Sequence, residues 1–129
     1  MEMSDCYLPK GHVLNQRYEV FDVIGSGGFG ITYRAFDLLL NRFVAVKEFF
    51  IMQWMERCRD GRKCRIRPSL QKSGNRAESC RMNFHREAKI MENLKNIPYL
   101  SRIQENFSEN NTEYIVMKLL EGGEHDALY

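Results

Sequence analysis

No apolar stretch of this 129-residue chain approaches the roughly 20 residues that a membrane-spanning helix needs. The amino terminus, Met-Glu-Met-Ser-Asp-Cys, lacks the basic cluster and apolar run of a secretory signal, so a cytoplasmic protein is expected. Its four cysteines (Cys6, Cys58, Cys64, Cys80) include no C-x-x-C pair, which argues against a metal site, and without secretion they read as free thiols rather than a disulfide framework. Charge of one sign is also lacking. The 19 Lys+Arg residues against 17 Asp+Glu leave only +2, too little to imply a nucleic-acid or membrane surface as partner. Internal repeats and low-complexity tracts are absent.

What the chain does hold is 43% hydrophobic residues and 12% aromatics, enough to bury one core. Residues 1–17 are polar, contain Pro9 and Gly11, and show no periodicity, so they read as a loosely ordered leader. From Tyr18 the residues are β-formers: Tyr18 to Ile24, then Ile31 to Phe36 after a glycine cluster, then Arg42 to Phe49. The segment 51–80 breaks the pattern with Asp60-Gly61, Pro68 and Ser73-Gly74, and it reads as a long insertion, partly helical at most. It carries eight basic residues against three acidic, a net +5 that leaves −3 for the rest of the chain. Phe84, Ala88, Met91 and Leu94 then fall at i, i+4, i+7 and i+10, which predicts a helix from about Arg81 to Lys95. Two β-rich runs, Ser101 to Phe107 and Glu113 to Lys118, follow, with Glu109-Asn110-Asn111 as the turn between them. The expected fold is α+β: a five-stranded antiparallel sheet with one main packed helix.

Gly25-x-Gly27-x-x-Gly30 is a weak signal alone, because two unrelated nucleotide-binding folds use that spacing. Here it runs into Ile31, Thr32 and Tyr33, which favour a strand over a helix, and about 20 residues past Gly25 stand Ala45 and Val46 rather than an acidic residue, so the glycines belong to a hairpin. Such a tip lets the backbone N–H groups of Gly25, Ser26, Gly27, Gly28, Phe29 and Gly30 close over phosphates, with the Phe29 side chain as a cap. The bland reading is a flexible glycine turn. On the next strand, Val44-Ala45-Val46-Lys47 puts Ala45 and Lys47 on one face, where a lysine can reach phosphate oxygens and an alanine leaves room for a flat base. A strand lysine is more often just a solvated charge. Glu87 borders the apolar stripe of the predicted helix, where an unpaired carboxylate would be costly, and Lys47 is the evident partner.

Taken in order, Gly25-x-Gly27-x-x-Gly30, Val44-Ala45-Val46-Lys47 and Glu87 resemble the first three signatures of protein kinases. Gly-Gly-Phe-Gly-Ile-Thr-Tyr, Val-Lys-Glu-Phe-Phe and Asn-Asn-Thr-Glu-Tyr-Ile-Val-Met are similar to bacterial serine/threonine kinases, over about Leu14 to Gly122. The resemblance implies an amino-terminal kinase lobe over 18–122, with 51–80 as its basic insertion and 123–129 as the start of the segment after the hinge. It implies that Ile24, Thr32 and Ala45 contact adenine, that Met117 is the gatekeeper, and that backbone groups of Lys118 and Leu120 form the hinge. Met91 and Ile103 would belong to the hydrophobic column joining the two lobes. Thr32 replaces the family's usual valine and Lys118 its common hinge glutamate; neither prevents binding of ATP.

The catalytic-loop aspartate, its asparagine and the Asp-Phe-Gly aspartate follow the hinge in kinases, and none is found here. His85-Arg86-Glu87-Ala88-Lys89 imitates the catalytic loop, but it precedes the hinge and has Glu92 where asparagine is required. The expectation is a truncated ATP-binding lobe that holds nucleotide weakly, with Lys47 and Glu87 as its catalytic residues, magnesium bound only with the missing lobe, and no phosphate transfer alone. The rival reading is a non-enzymatic module that docks on a protein partner through the apolar face of Met91, Met117, Leu119 and Leu120.

Overall fold

Alternation along the strands decides which face is core. In Arg42–Phe49 the side chains of Val44, Val46 and Glu48 point one way and those of Ala45 and Lys47 the other, since successive strand residues face opposite sides. The computed structural model describes residues 6–27, 30–67 and 103–119. These form strands β1 (Val13–Leu14), β2 (Tyr18–Ser26), β3 (Gly30–Asp37), β4 (Arg42–Phe49), β5 (Met55–Arg57), β6 (Cys64–Ile66), β7 (Ile103–Glu109) and β8 (Thr112–Lys118). Six of them make one antiparallel sheet in the order β1-β2-β3-β4-β8-β7, and β5 pairs with β6 in a separate hairpin. The main sheet thus has six strands where five were expected, because β1 adds a two-residue edge beyond β2. Among the described residues there is no α-helix, and no helix is long and apolar enough to cross a membrane. The helix predicted near 81–95, with Glu87 and Met91, lies outside the described residues, as do Gly28, Phe29, Cys80, Leu120 and 123–129.

Asparagines make the tight turns. Asn110 and Asn111, both at positive φ (53° and 61°), join β7 to β8 in the two-residue hairpin geometry that matches strand twist. Asn15 and Gln16, also at positive φ (52° and 55°), lie in the three-residue turn between β1 and β2.

The sheet curls until its two ends meet. β2 and β7 are four places apart in strand order, yet the Tyr18 ring stacks on Phe107 (centroids 6.1 Å apart), which stacks in turn on Tyr114 (5.1 Å). Inside the curl lie Leu14, Tyr18, Val20, Ile31, Tyr33, Ala35, Val44, Val46, Tyr114 and Val116, all buried. One end of this core is closed by Cys6 and Leu8 from the leader, by Phe50, and by Ile51, Met55 and Cys64 from the segment that was expected to be an irregular insertion. The described part of the leader is therefore packed rather than loose: Leu8 donates its backbone N–H to the Tyr33 hydroxyl (3.1 Å), and Gly11 donates to the Val20 carbonyl (2.8 Å). The described part of the insertion is a β-hairpin bound to the β7–β8 turn, with Cys64 N–H on the Asn110 carbonyl (2.8 Å) and the Asn111 amide on the Cys64 carbonyl (3.0 Å). Among the described residues, Cys6, Cys58 and Cys64 form no disulfide.

Where β3 ends, Asp37 is buried and saturated. Arg17 donates to both of its oxygens (2.9 Å each), the N–H groups of Leu39 and Leu40 donate to Oδ1 (2.9 and 3.1 Å), and Gln104 Nε2 donates to Oδ2 (3.0 Å). Burial alone would raise its pKa, but these hydrogen bonds outweigh it and hold the carboxyl at about 2. The folded value is below the unfolded one, so this stabilisation is complete above the ordinary 3.8 and is lost as the pH falls towards about 2. With Arg17 partly open to solvent, we expect it to amount to about 1–2 kcal/mol. Urea unfolding at pH 5 and pH 2.5 should show that loss, and an Asp37→Asn variant should show less of it.

Candidate functional site

The face turned away from the core carries the residues singled out by sequence. Lys47 is exposed, and its register partners are Thr32 on β3 and Ile115 on β8. Thr32 in turn pairs with Gly25 on β2, so Gly25, Thr32 and Lys47 form one row across three strands. Ala45 is buried between Arg34 and Met117, its partners on either side. The hairpin between β2 and β3 is closed by the Gly27 N–H on the Gly30 carbonyl (2.9 Å). Ile24 sits in the irregularity of β2 between Val23 and Gly25, Ser26 pairs with Ile31, and Lys118 ends β8 opposite Val44.

Gly30 joins these parts. A Cβ there would lie 2.9 Å from the Glu48 carbonyl oxygen and 3.3 Å from Cε of Lys47. The end of the glycine hairpin therefore rests directly on the lysine stem and on the next carbonyl of β4, an approach that only glycine permits. This contact unites two motifs that lie 17 residues apart in sequence.

Toward the other end of this face, beyond Ala45, the Arg34 guanidinium lies 4.8 Å from the Phe43 ring centroid and is paired with Asp22 (2.9 Å). Phe43 meets Phe21 and Phe36 edge to face, each at 5.1 Å. Ile103 and Ile115, with Met117 against them, form a small apolar cluster separate from the main core.

A second constellation, absent from the sequence reading, lies on the core side of β4. Glu48 is 0% exposed, and its carboxylate accepts from the Tyr33 hydroxyl (2.9 Å), the Tyr114 hydroxyl (2.5 Å) and both terminal nitrogens of Arg57 (2.8 Å each). The Arg57 side chain is 4% exposed. It also donates to the carbonyls of Cys6 and Arg62, contacts Cys64 Sγ at 3.3 Å, and lies over the Phe50 ring. Burial alone would lower the Arg57 pKa, but the hydrogen bonds and charge of Glu48 raise it above the ordinary value. Burial, followed by the charge of Glu48, pushes the Tyr33 and Tyr114 hydroxyls far up, so both remain protonated donors. A signal for this hub did exist. Strand parity puts Glu48 on the side of Val44 and Val46, where a carboxylate requires a cation.

No family model matches the chain. Among curated proteins it is 30% identical over 112 residues to a probable serine/threonine-protein kinase of Clostridium perfringens, an alignment that covers 87% of this chain and 13% of that protein. It is 24% identical over 120 residues to the probable serine/threonine-protein kinase YbdM of Bacillus subtilis, covering 93% of this chain and 38% of that one. Calcium-dependent protein kinase 14 of Arabidopsis thaliana matches at 24% over 116 residues, 90% of this chain and 18% of its own length. Among solved structures, the apo form of PpkA-294 superposes with a TM-score of 0.77 at 28% identity, covering 91% of this chain and 40% of that one. The chain thus spans well under half the length of each of these relatives.

Proposed function

We propose that this chain, a relative of the serine/threonine protein kinases of bacteria and plants, is the nucleotide-holding lobe of such an enzyme and binds ATP beneath its glycine hairpin. The observation that carries this reading is the seating of Gly30 on the Lys47 stem, in register with Gly25 and Thr32. Two features fit a nucleotide's phosphates: an exposed lysine and a neighbouring backbone free of side chains.

In this reading the Lys47 ammonium attracts the phosphate oxygens, and the amides of the hairpin donate to them. Thr32, Ala45 and Ile24 wall the base from above. Met117 stands at the back, and the backbone of Lys118 meets the base edge. Glu87 would pair with Lys47. The phosphoryl-transferring base and the magnesium ligands of kinases are not among these 129 residues, so this stretch by itself would hold nucleotide without transferring phosphate.

Without a second wall under the base, affinity should be weak, with a dissociation constant on the order of 1 mM. An NMR titration with ATP should move the amides of Gly25, Gly27, Gly30, Thr32 and Ala45. A Lys47→Met variant should bind about tenfold more weakly while its stability changes by about 0.5 kcal/mol or less, as expected for an exposed side chain. Shifts confined to the 51–67 hairpin would overturn the assignment.

A further inference from the structure

Lys47 and Glu48 are consecutive and point to opposite faces of β4, the lysine to the nucleotide face and the carboxylate into the core. The groups that hold Glu48 come from three directions. Tyr33 is the chain neighbour of Thr32, and Tyr114 is the neighbour of Ile115; Thr32 and Ile115 are the two residues that flank Lys47 in the sheet. Arg57 comes from the hairpin that closes the end of the core. The carboxylate therefore bolts β3, β4 and β8 together one residue away from the lysine. The main chain at the same place is the surface on which the glycine hairpin rests, since the Glu48 carbonyl is the nearest atom to a Cβ at Gly30.

A buried ion pair is a poor way to gain stability, because apolar residues of similar volume often serve as well or better; what such a pair can supply is a single fixed arrangement. We propose that Glu48 and Arg57 are positioning residues for phosphate recognition: their fork fixes β4 so that the Lys47 stem and Gly30 stay in contact and the ammonium stays aimed at the phosphates. The leader and the β5–β6 hairpin, which meet Arg57 through Cys6, Arg62 and Cys64, thereby become part of the nucleotide site without touching the nucleotide. This inference rests on the ATP-binding reading above.

The test uses the whole chain and two ligands, ATP and adenosine, which differ only in the phosphates. Two variants are compared with the parent by NMR titration: Arg57→Lys, which keeps the charge and loses the fork, and Glu48→Gln/Arg57→Met, which leaves no buried charge unpaired. Both should lose about fivefold in ATP affinity, while adenosine binding changes by less than about twofold. An unchanged ratio of ATP to adenosine affinity in the double variant overturns the proposal, whether both affinities hold or both fall, since a merely structural role affects the two ligands alike. A parent chain that binds adenosine and ATP equally well, or neither, refutes the ATP-binding reading itself and this inference with it.

Discussion

Arg57→Met should destabilise the chain by about 3–5 kcal/mol, a large part of what holds a domain of this size together. The substitution keeps most of the side-chain volume but strips Glu48 of both guanidinium bonds, leaving a fully buried carboxylate with only two tyrosine hydroxyls. It also removes the Arg57 hydrogen bonds to the carbonyls of Cys6 and Arg62. Neutralising the carboxylate as well should recover most of the loss. In Glu48→Gln/Arg57→Met the amide oxygen can still accept from one tyrosine hydroxyl, and the amide nitrogen can donate to the other. Urea unfolding of the parent, the single and the double variant measures all three. A single variant within about 1 kcal/mol of the parent would mean that water reaches Glu48, contrary to its complete burial.

The second large effect belongs to Gly30. An alanine there places a methyl 2.9 Å from a carbonyl of β4, and neither strand can yield, because Gly30 pairs with Phe49 and Ile31 with Glu48 in an unbroken ladder. We expect a cost of about 1–3 kcal/mol. The displaced Lys47 stem should also abolish preferential binding of ATP over adenosine. Gly25 and Gly27 make the comparison informative: a Cβ at either meets nothing within 4 Å, and neither has a positive φ. Their alanine variants should unfold within about 0.5 kcal/mol of the parent. Equal destabilisation at the three glycines would show that backbone freedom, and not the seat on β4, governs the motif.

The long strands were legible because each carries a run of β-formers ended by turn residues. The reading of Arg42 to Phe49 matches β4 at both ends, and that of Tyr18 to Ile24 extends by two residues into the glycines. Three short strands escaped notice. Val13–Leu14 is two residues long and sits in a polar segment, while Met55–Arg57 and Cys64–Ile66 are three each and alternate with charges. No periodicity can be established over so few positions. The same charges misled. Arg57 counted toward a basic, irregular insertion, yet its side chain is only 4% exposed. At the site, alternation put Ala45 and Lys47 on one face without any structure, and the observed register agrees. The contact between Gly30 and the lysine stem was not legible, since it depends on the pairing of β3 with β4 and not on either strand alone.

The meeting of β2 with β7 bears on how the chain comes to be folded. Asn15 bonds Glu109 across 94 positions, and Arg17 reaches Glu105 across 88. During synthesis, Tyr18 has neither Phe107 nor Gln104 to pack against until the chain has been made past β7. Contacts of such long separation require loop closure before they return any stabilisation, which makes folding slow in proportion. The early strands β2, β3 and β4 can pair as they emerge, but their core side stays uncovered until β8 and β7 arrive. In that interval Val20, Ile31, Val44 and Val46 form an open apolar surface, and how soon β7 and β8 follow decides how long that surface is offered to other chains.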